Sequence, residues 1–274
     1  MNETLKRGIS GAVYVILLIA SIYYSTETFF LLFGIFLIIA VFEFCSLVRL
    51  PVIFPVLLSL SAYGTISYML FSDIRLDRNF DLALLALTML VSIKGIIFLF
   101  SRNRDTVSTF SKYAYLAGYI ILPFVIITKI PFGIKGYNPK ILIGIFILVW
   151  TNDTFAYLVG KSIGRHKLYE RISPKKTIEG FLGGVAFAVL AGFLISKYYI
   201  EGGKLAQNIW IGFALIMSVF GTIGDLIESK FKRIAGVKDS GKIMPGHGGI
   251  LDRLDSVIFA APFIFLFYQI LNFI

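Results

Sequence analysis

The sequence contains several apolar runs that are long enough to cross a lipid bilayer as α-helices. The runs at 9–24, 29–48 and 80–100 come close to the ~20 residues that a helix needs to cross ~30 Å of hydrocarbon. Of all residues, 57% are hydrophobic and 15% are charged, whereas soluble domains average about 45–50% and about 25%. The chain is therefore predicted to be an all-α, polytopic integral membrane helical bundle.

Hydropathy divides the chain into about nine transmembrane helices. The predicted spans lie at about residues 8–24, 28–48, 52–71, 80–100, 113–128, 139–160, 180–200, 207–227 and 255–273. Residues 1–130 hold plain apolar helices and are interpreted as a supporting half. Residues 131–274 hold acidic and glycine-bearing helices with two polar loops, at 161–178 and 228–253, and are interpreted as the half that carries the chemistry.

Basic residues are distributed unevenly between the two sides of this arrangement. If the N-terminus is inside, the inner segments hold 18 Lys and Arg residues and the outer segments hold 7, with Lys94 inside a span. Because cytoplasmic loops carry an excess of Lys and Arg, the count predicts an N-in, C-out orientation. Both polar loops would then face the cytoplasm, and the expected location is the inner (cytoplasmic) membrane.

The formal net charge is +10, which in a soluble protein would favour nucleic-acid binding. In a membrane protein, cytoplasmic loop retention, anionic lipid headgroups and anionic substrates are competing explanations. The sequence has no zinc-ligand spacing and no Arg-Gly-Gly tract, so no nucleic-acid partner is expected. The charge therefore indicates the lipid bilayer and anionic substrates as partners.

The sixth span contains the polar pair Asn152-Asp153. An Asp near the bilayer centre costs about 2.5–3.5 kcal/mol on insertion scales, so it is expected to face a polar cavity or a partner. A substrate-binding role and a structural carboxylate paired with a nearby Lys are both compatible with this position.

A basic motif, Ser173-Pro174-Lys175-Lys176-Thr177, precedes the seventh span. Ser173 is predicted to cap the following turn and Pro174 to occupy the first helical position. The two lysines would then lie beside a helix N-terminus, which attracts phosphate. A basic anchor that reaches lipid headgroups is the alternative. Small residues then recur every four positions from Gly180, which predicts a close-packing helix face.

The eighth span ends in a polar segment in which Asp225, Glu228, Ser229 and Lys232 have helical i, i+3, i+4 and i+7 spacing. In a helix these four side chains share one face. Such a face packs poorly against lipid or apolar helices, and its two carboxylates are hard oxygen ligands that suit Mg²⁺ together with substrate phosphates.

A glycine-bearing loop comes next, with Gly246, Gly248 and Gly249 around His247. Glycines let backbone N–H groups approach an anion closely. Asp252 and Asp255 lie one helical turn apart at the entrance to the ninth span. An ordinary solvated loop is the alternative, but the glycine pattern between membrane helices favours a phosphate site.

The stretch Ser229–Asp255 reads S-x-F-K-R-x4-K-D-S-G-K-x-M-P-G-H-G-G-x-L-D-R-L-D. It resembles the signature of the phosphatidate cytidylyltransferase (CDP-diacylglycerol synthase) family, with Met244 as a mild departure. The Asn152-Asp153 pair and the Ser173–Thr177 motif resemble that family too. The specific likeness covers about residues 139–260.

The resemblance implies a nucleotidyltransferase that converts CTP and phosphatidic acid into CDP-diacylglycerol and pyrophosphate. It implies a requirement for Mg²⁺, with room for a second cation, and leaves a homodimer open. Because both substrates are polyanions, a basic and carboxylate-lined site fits this reaction independently.

The resemblance also assigns roles to residues. The catalytic residues are expected to be Asp225, Lys238, His247, Asp252, Arg253 and Asp255. The substrate-binding residues are expected to be Asn152, Asp153, Ser173, Lys175, Lys176, Thr177, Ser229, Lys232, Arg233, Asp239, Gly248 and Gly249. The metal ligands are expected to be Asp225, Glu228, Asp252 and Asp255, with Asp225 and Asp252 as the direct ligands.

The basic groups are expected to divide between the two substrates. Lys175 and Lys176 precede a membrane helix, so they are assigned to the phosphate of phosphatidic acid. Lys238, His247 and Arg253 belong to the glycine-bearing loop and are assigned to the triphosphate. Arg253 lies between two proposed ligand positions, so a role in orienting Asp252 or Asp255 stays open.

Two other function classes remain open at this point. A CTP-dependent lipid kinase acting on a polyprenol or phytol would share the helices and the metal and differ in the acceptor. A transporter of an anionic lipid or phosphate compound would need intramembrane charge but no clustered carboxylates. A CDP-alcohol phosphotransferase is excluded because its D-G-x2-A-R…D-x3-D arrangement is absent.

The predicted orientation can be tested by cysteine accessibility after replacement of Cys45, the only native cysteine. Single cysteines in the two polar loops should react with an impermeant maleimide in inside-out vesicles and not in intact cells. Labelling of either loop from the outer face of intact cells would contradict the N-in, C-out orientation.

Overall fold

A computed structural model describes residues 3–74, 77–101, 107–133, 136–200 and 203–271 of the chain. Within these residues, nine helices are long and apolar enough to cross a membrane. They are α1 Glu3–Tyr24, α2 Thr26–Val48, α3 Ile53–Phe71, α4 Arg78–Phe100, α5 Thr109–Lys129, α6 Pro139–Ile163, α7 Ile178–Ile200, α8 Gly203–Ala235 and α9 Leu251–Leu271. The predicted polytopic helical bundle is confirmed.

The described residues also contain two short antiparallel β-hairpins, which the all-α prediction did not include. Strand β1 (Phe132–Gly133) pairs with β2 (Gly136–Tyr137), and β3 (Lys167–Tyr169) pairs with β4 (Ser173–Thr177). Each hairpin lies in a connection between two membrane helices, and its two strands pair with each other.

The predicted helix start at Ser173 is wrong. Ser173 and Pro174 belong to strand β4, and the helix begins after Thr177. The Thr177 backbone is extended and its Oγ1 accepts a hydrogen bond from the Gly180 N–H at 3.1 Å, which makes Thr177 the N-cap. Both residues can cap a helix, but pairing with β3 keeps the segment around Ser173 extended.

The predicted loop 228–253 begins too early, because helix α8 continues to Ala235. The connection between α8 and α9 is therefore residues 236–250, which we call the glycine loop. The charge pattern at the end of α8 is typical of a loop, whereas the structure pairs Lys232 with Glu228 inside the protein and buries Phe231.

Aromatic packing holds this extension of α8 in the bundle. The ring centroid of Phe231 lies 5.3 Å from that of Phe44 on α2, 4.8 Å from that of Phe98 on α4, and 5.2 Å from that of Tyr115 on α5. Ring pairs at this separation add about 0.5–1.5 kcal/mol each beyond their buried area. The end of α8 is thus surrounded by helices from the N-terminal half, and the division at residue 130 stays a prediction.

Lys230 attaches the same extension to the end of α4. Its Nζ donates hydrogen bonds to the carbonyl oxygens of Phe98 and, at 3.0 Å, Ser101. The last carbonyls of a helix lack intrahelical partners, and a cation there also complements the helix dipole. This buried lysine therefore supplies hydrogen bonds that water would otherwise give to the last carbonyl groups of α4.

The predicted close-packing face on α7 is confirmed. All four small residues that recur from Gly180 to Gly192 are buried. A Cβ at Gly184 would lie 2.9 Å from the backbone oxygen of Asn152 on α6, and one at Gly192 would lie 2.7 Å from the backbone oxygen of Trp210 on α8. The close contacts of α7 with α6 and α8 therefore require glycine at these two positions.

The two polar segments lie at the same end of the bundle. The Arg233 Nε of α8 is 3.5 Å from the carbonyl oxygen of Ile172 in the β3–β4 hairpin. The Lys176 Nζ of β4 is 2.5 Å from Asp225 Oδ2 of α8. Four basic residues that contributed to the orientation count lie outside the described residues: Arg75, Arg102, Arg104 and Lys135.

Replacement of Gly184 by Ala should destabilise the protein, because the added methyl meets the Asn152 backbone. Overpacking of this kind costs about 1–3 kcal/mol. The midpoint of thermal unfolding in detergent measures the effect. Gly64→Ala on α3 is the control, since a Cβ there has nothing within 4 Å. Equal losses in both variants would show that α6 and α7 do not depend on this contact.

Candidate active site

Three carboxylates converge where α8 meets α9. Asp225 and Glu228 lie one turn apart on α8, and Asp255 faces them from α9, with one oxygen from each within 4.8 Å of the others. Gly224 permits this approach, because a Cβ there would lie 2.6 Å from Phe259 Cβ and 2.7 Å from the Asp255 backbone oxygen. These three residues form the acidic cluster.

The acidic cluster is suited to a divalent cation. Glu228 is 1% exposed, and its Oε1 is a buried atom with no hydrogen-bond partner. A buried carboxylate oxygen without a donor is costly, and a bound cation would satisfy it. Three carboxylates are the hard oxygen ligands that Mg²⁺, Mn²⁺ and Ca²⁺ prefer. The donor set therefore fits a metal of this class.

Two lysines partly neutralise the cluster. Lys176 Nζ lies 2.5 Å from Asp225 Oδ2, and Lys232 Nζ lies 2.6 Å from Glu228 Oε2. Burial alone lowers the pKa of Lys176, but the Asp225 and Asp153 carboxylates more than offset this and raise that pKa above its ordinary value. Lys176 is consequently a protonated lysine bound to a carboxylate.

Asp252 lies outside the acidic cluster, although the sequence suggested it as a direct ligand. Its Oδ1 accepts a hydrogen bond from Lys232 at 2.6 Å. Its Oδ2 accepts from the backbone N–H of Ser240 and Gly249 and from the Ser240 hydroxyl, each at 2.8 Å. The carboxylate is thus fully engaged in tying the start and end of the glycine loop to α8.

The glycine loop forms one wall of a cavity of about 440 Å³. Its backbone takes left-handed conformations at Gly246 (φ 78°) and Gly248 (φ 87°), which L side chains adopt only with strain. The cavity is rich in positive charge, and its basic lining residues are Arg7, Lys238, Lys242, His247 and Arg253. A cavity of this charge beside an acidic cluster suits a polyphosphate bound together with a cation.

His247 contacts the first helix. Its Nδ1 lies 2.8 Å from the Ser10 hydroxyl, which also donates to the Pro245 carbonyl at 3.0 Å. Partial burial and the positive charges of Arg253 and Arg7 lower the pKa of His247 below its ordinary value. The imidazole is therefore neutral at pH 7, where it can act as a hydrogen-bond donor and acceptor.

The remaining predicted residues divide into two groups. Asn152 is buried on α6 beside Gly184, and its amide nitrogen lies 3.3 Å from an Asp153 oxygen. The Asp153 carboxylate is near enough to Lys176 to help raise the pKa of that lysine. The predicted Ser229 hydroxyl donates to Asp225 at 3.2 Å.

Other predicted residues are exposed or have structural contacts. Lys175 is exposed and Ser173 is paired in the hairpin with Tyr169. Arg233 donates to the carbonyl of Val237 at 3.1 Å and so supports the start of the glycine loop.

Sequence reasoning missed the contribution of the N-terminal half. Glu43 of α2 hydrogen-bonds to the glycine loop, and Arg7 and Ser10 of α1 contact the same loop. A signal existed for Glu43, since an acidic residue inside an apolar span is rarely without function. The same rule gave the expectation for Asp153, and it applies equally to Glu43 in α2.

The pattern that defines the cytidylyltransferase family matches residues 5–271 of the chain. The chain belongs to the cytidylyltransferase family. The likeness inferred from Ser229–Asp255 is thereby confirmed for nearly the whole length.

Several relatives carry the name phosphatidate cytidylyltransferase. Those from Staphylococcus aureus, Staphylococcus epidermidis and Staphylococcus haemolyticus are 56%, 50% and 49% identical to this cytidylyltransferase-family chain over 119 residues. Each of these alignments covers 43% of this chain and 44% of the relative, so the chain matches less than half of the relatives' length.

Loss of a cluster carboxylate should weaken divalent-cation binding. Because each carboxylate supplies one oxygen, Asp225→Asn, Glu228→Gln and Asp255→Asn should each raise the Kd for Mn²⁺ at least about tenfold. The Kd is measured on the purified protein and its variants by following free Mn²⁺ with electron paramagnetic resonance. Asp73→Asn, on an exposed turn, is the control. Asp252→Asn should have a smaller effect, and the reverse order would place the metal at Asp252.

Proposed function

We propose that this protein is a phosphatidate cytidylyltransferase that converts CTP and phosphatidic acid into CDP-diacylglycerol and pyrophosphate. The observation that carries the proposal is the adjacency of the acidic cluster and the basic glycine loop at one end of a membrane bundle. A charged nucleotide and a lipid phosphate can meet only at such a boundary. The names of the staphylococcal relatives support the same reaction.

In the proposed reaction an oxygen of the phosphatidate phosphate attacks the α-phosphorus of CTP. A new P–O bond forms, and the bond from the α-phosphorus to the bridging oxygen of the β-phosphate breaks. Pyrophosphate leaves with the bonding electron pair. No protein nucleophile is required, so the side chains act by positioning both phosphates and by balancing charge.

Mg²⁺ is the proposed cofactor, and Asp225, Glu228 and Asp255 are the residues that would hold it. When bound, Mg²⁺ would neutralise phosphate oxygens and make the α-phosphorus more electrophilic. The carboxylates supply three negative charges, two of which face Lys176 and Lys232. With all three carboxylates ionised, the cluster therefore retains one net negative charge for a cation.

The basic lining of the cavity is proposed to bind the triphosphate. Lys238, His247 and Arg253 would contact the β- and γ-phosphates and stabilise the charge that develops on pyrophosphate. The backbone N–H group of Gly248 would add a donor, whereas the Gly249 N–H is already bound to Asp252. His247, being neutral, would donate a hydrogen bond without adding repulsion to Arg253.

The proposed role of Lys176 differs from the one expected from sequence. Its bond to Asp225 makes it a residue that orients a cluster carboxylate, and it lies close enough to reach a phosphate held there. The exposed Lys175 is the better candidate for the lipid phosphate at the headgroup plane. We therefore propose that Lys175 binds the lipid phosphate and that the basic residues of the glycine loop bind the triphosphate.

The membrane arrangement of the proposed enzyme follows from its substrates. CTP is a cytoplasmic nucleotide, so the end of the bundle that carries the glycine loop would face the cytoplasm. This agrees with the excess of Lys and Arg predicted for that side. The inner membrane is the proposed location, with residues 1–130 supporting and residues 131–274 carrying the cluster.

Purified protein in detergent should transfer label from [α-³²P]CTP to a liponucleotide when given Mg²⁺ and phosphatidic acid. Asp255→Asn should lower kcat by at least about a hundredfold, because the cluster loses a charge that compensates the phosphates. Asp73→Asn, on the exposed turn, is the control.

Thin-layer chromatography of the lipid products separates the alternatives. Label from [γ-³²P]CTP in a polyprenyl or phytyl phosphate, with no liponucleotide, would contradict the proposal in favour of a lipid kinase. No turnover with either acceptor, together with CTP-independent uptake of a phosphorylated compound into vesicles, would indicate a transporter.

A further inference from the structure

We infer that Glu43 of α2 is a positioning residue that holds the glycine loop in its nucleotide-binding shape. The expected effect on the KM for CTP rests on the proposed function. The role of Glu43 in holding the loop does not depend on that function. Glu43 lies in the half of the chain that hydropathy alone describes as a plain support. Its carboxylate nevertheless lies under the loop and contacts both ends of it.

The contacts of Glu43 are directed and buried. Glu43 is 8% exposed. Its Oε1 accepts from the Ile250 N–H at 3.1 Å, and its Oε2 accepts from the Leu251 N–H at 2.8 Å and the Ser240 hydroxyl at 3.2 Å. Residue 240 lies in the first part of the glycine loop, residue 250 is its last residue, and residue 251 begins α9. One carboxylate therefore closes the loop.

The charge of Glu43 is matched by the helix that it caps. Ile250 and Leu251 are at the N-terminus of α9, where backbone N–H groups lack intrahelical partners and the helix dipole favours an anion. Among the described residues, no Lys or Arg forms a salt bridge with Glu43. The N–H groups of α9 and the Ser240 hydroxyl are thus the groups that compensate this buried charge.

Two glycines of the loop are explained by Glu43. The three atoms nearest to a Cβ built on Gly241 all belong to Glu43, with its Cδ at 2.7 Å and its Cγ at 3.0 Å. A Cβ on Gly249 would overlap both Glu43 oxygens. Neither glycine has a positive φ. Their lack of a side chain is therefore required by the carboxylate and not by the backbone.

A chain of hydrogen bonds extends from Glu43 to the acidic cluster. The Ser240 Oγ lies 3.2 Å from Glu43 Oε2 and 2.8 Å from Asp252 Oδ2, and the two carboxylates share its single hydrogen. Lys232 then joins Asp252 to Glu228, at 2.6 Å on each side. A shift of Glu43 would consequently move the loop relative to the cluster without removing any group that touches substrate.

Glu43→Gln is the first test, because Gln keeps the size of the side chain but turns an NH₂ donor toward N–H donors. The variant should raise the KM for CTP at least about tenfold and leave the KM for phosphatidic acid within about twofold. Trypsin in detergent should also cut at the exposed Lys238 and Lys242 at least about fivefold faster. Faster cleavage reports loop release without any need for turnover.

Asp81→Asn is the matched control, since Asp81 is another acid of the N-terminal half, paired with Lys129 at 2.7 Å. It should lower the amount of folded protein without changing the KM for CTP or the cleavage rate. If Glu43→Gln lowers only the active fraction, with unchanged KM and unchanged cleavage, the positioning role is refuted.

A double-mutant cycle is the second test, and its single variant Gly241→Ala keeps Glu43 if Glu43→Gln does not fold. Gly241→Ala alone should speed trypsin cleavage of the loop at least about fivefold, because its methyl displaces the Glu43 carboxylate. In a Glu43→Ala background the same methyl has space, so its further effect on the cleavage rate should be less than about twofold. Equal effects of Gly241→Ala in both backgrounds would overturn the inference.

The two proposals fail in different ways. A wild-type protein without cytidylyltransferase activity would refute the proposed function, while trypsin cleavage would still decide the role of Glu43. An active wild type with Glu43→Gln kinetics like those of Asp81→Asn would refute the positioning role alone.

Discussion

The interaction on which the rest of the site depends is the bridge that Lys232 makes between two carboxylates on different helices. Its Nζ lies 2.6 Å from Glu228 on α8 and 2.6 Å from Asp252 on α9. Removing one partner from a buried pair leaves an uncompensated charge, which costs about 3–5 kcal/mol. Each member of the trio therefore fixes the other two. The trio joins the acidic cluster, to which Glu228 belongs, to the glycine loop, which Asp252 binds, and so holds the two in one arrangement.

Close helix contact makes this arrangement sterically possible. Gly224 lets α9 approach α8, and Gly184 and Gly192 let α7 approach its neighbours. In lipid there is little hydrophobic gain from bringing helices together, so packing of small residues and polar contacts supply most of the association. The polar groups of the site are thus bound by the same contacts that hold the bundle together.

The sequence predicted the parts of this structure that depend on local pattern. Nine spans follow from hydropathy, and helical spacing placed Asp225 and Glu228 on one face, because both signals need no knowledge of distant residues. Glu43 could not be assigned from its neighbours, since its partners are about 200 positions away in the chain. The helix start predicted at Ser173 rests on local capping chemistry, whereas its pairing with Tyr169 depends on how the hairpin closes. Asp252 has the residue type of a metal ligand, but its hydrogen bonds are set by the fold of the loop.

Helix α8 has 33 residues, which corresponds to a length of about 50 Å at 1.5 Å per residue. Hydrocarbon needs only ~30 Å, so the helix must tilt or project beyond the bilayer. The segment from Asp225 to Ala235 is continuous helix, and every residue added to it or removed from it would rotate the remainder of the helix by about 100°. An insertion between Glu228 and Lys232 would rotate one of these side chains away from the other and break the pair. An irregular connection outside the hydrogen-bonded core could accommodate an added residue. Among members of the family, variation in chain length is therefore expected at the connections of the N-terminal half and not within this part of α8.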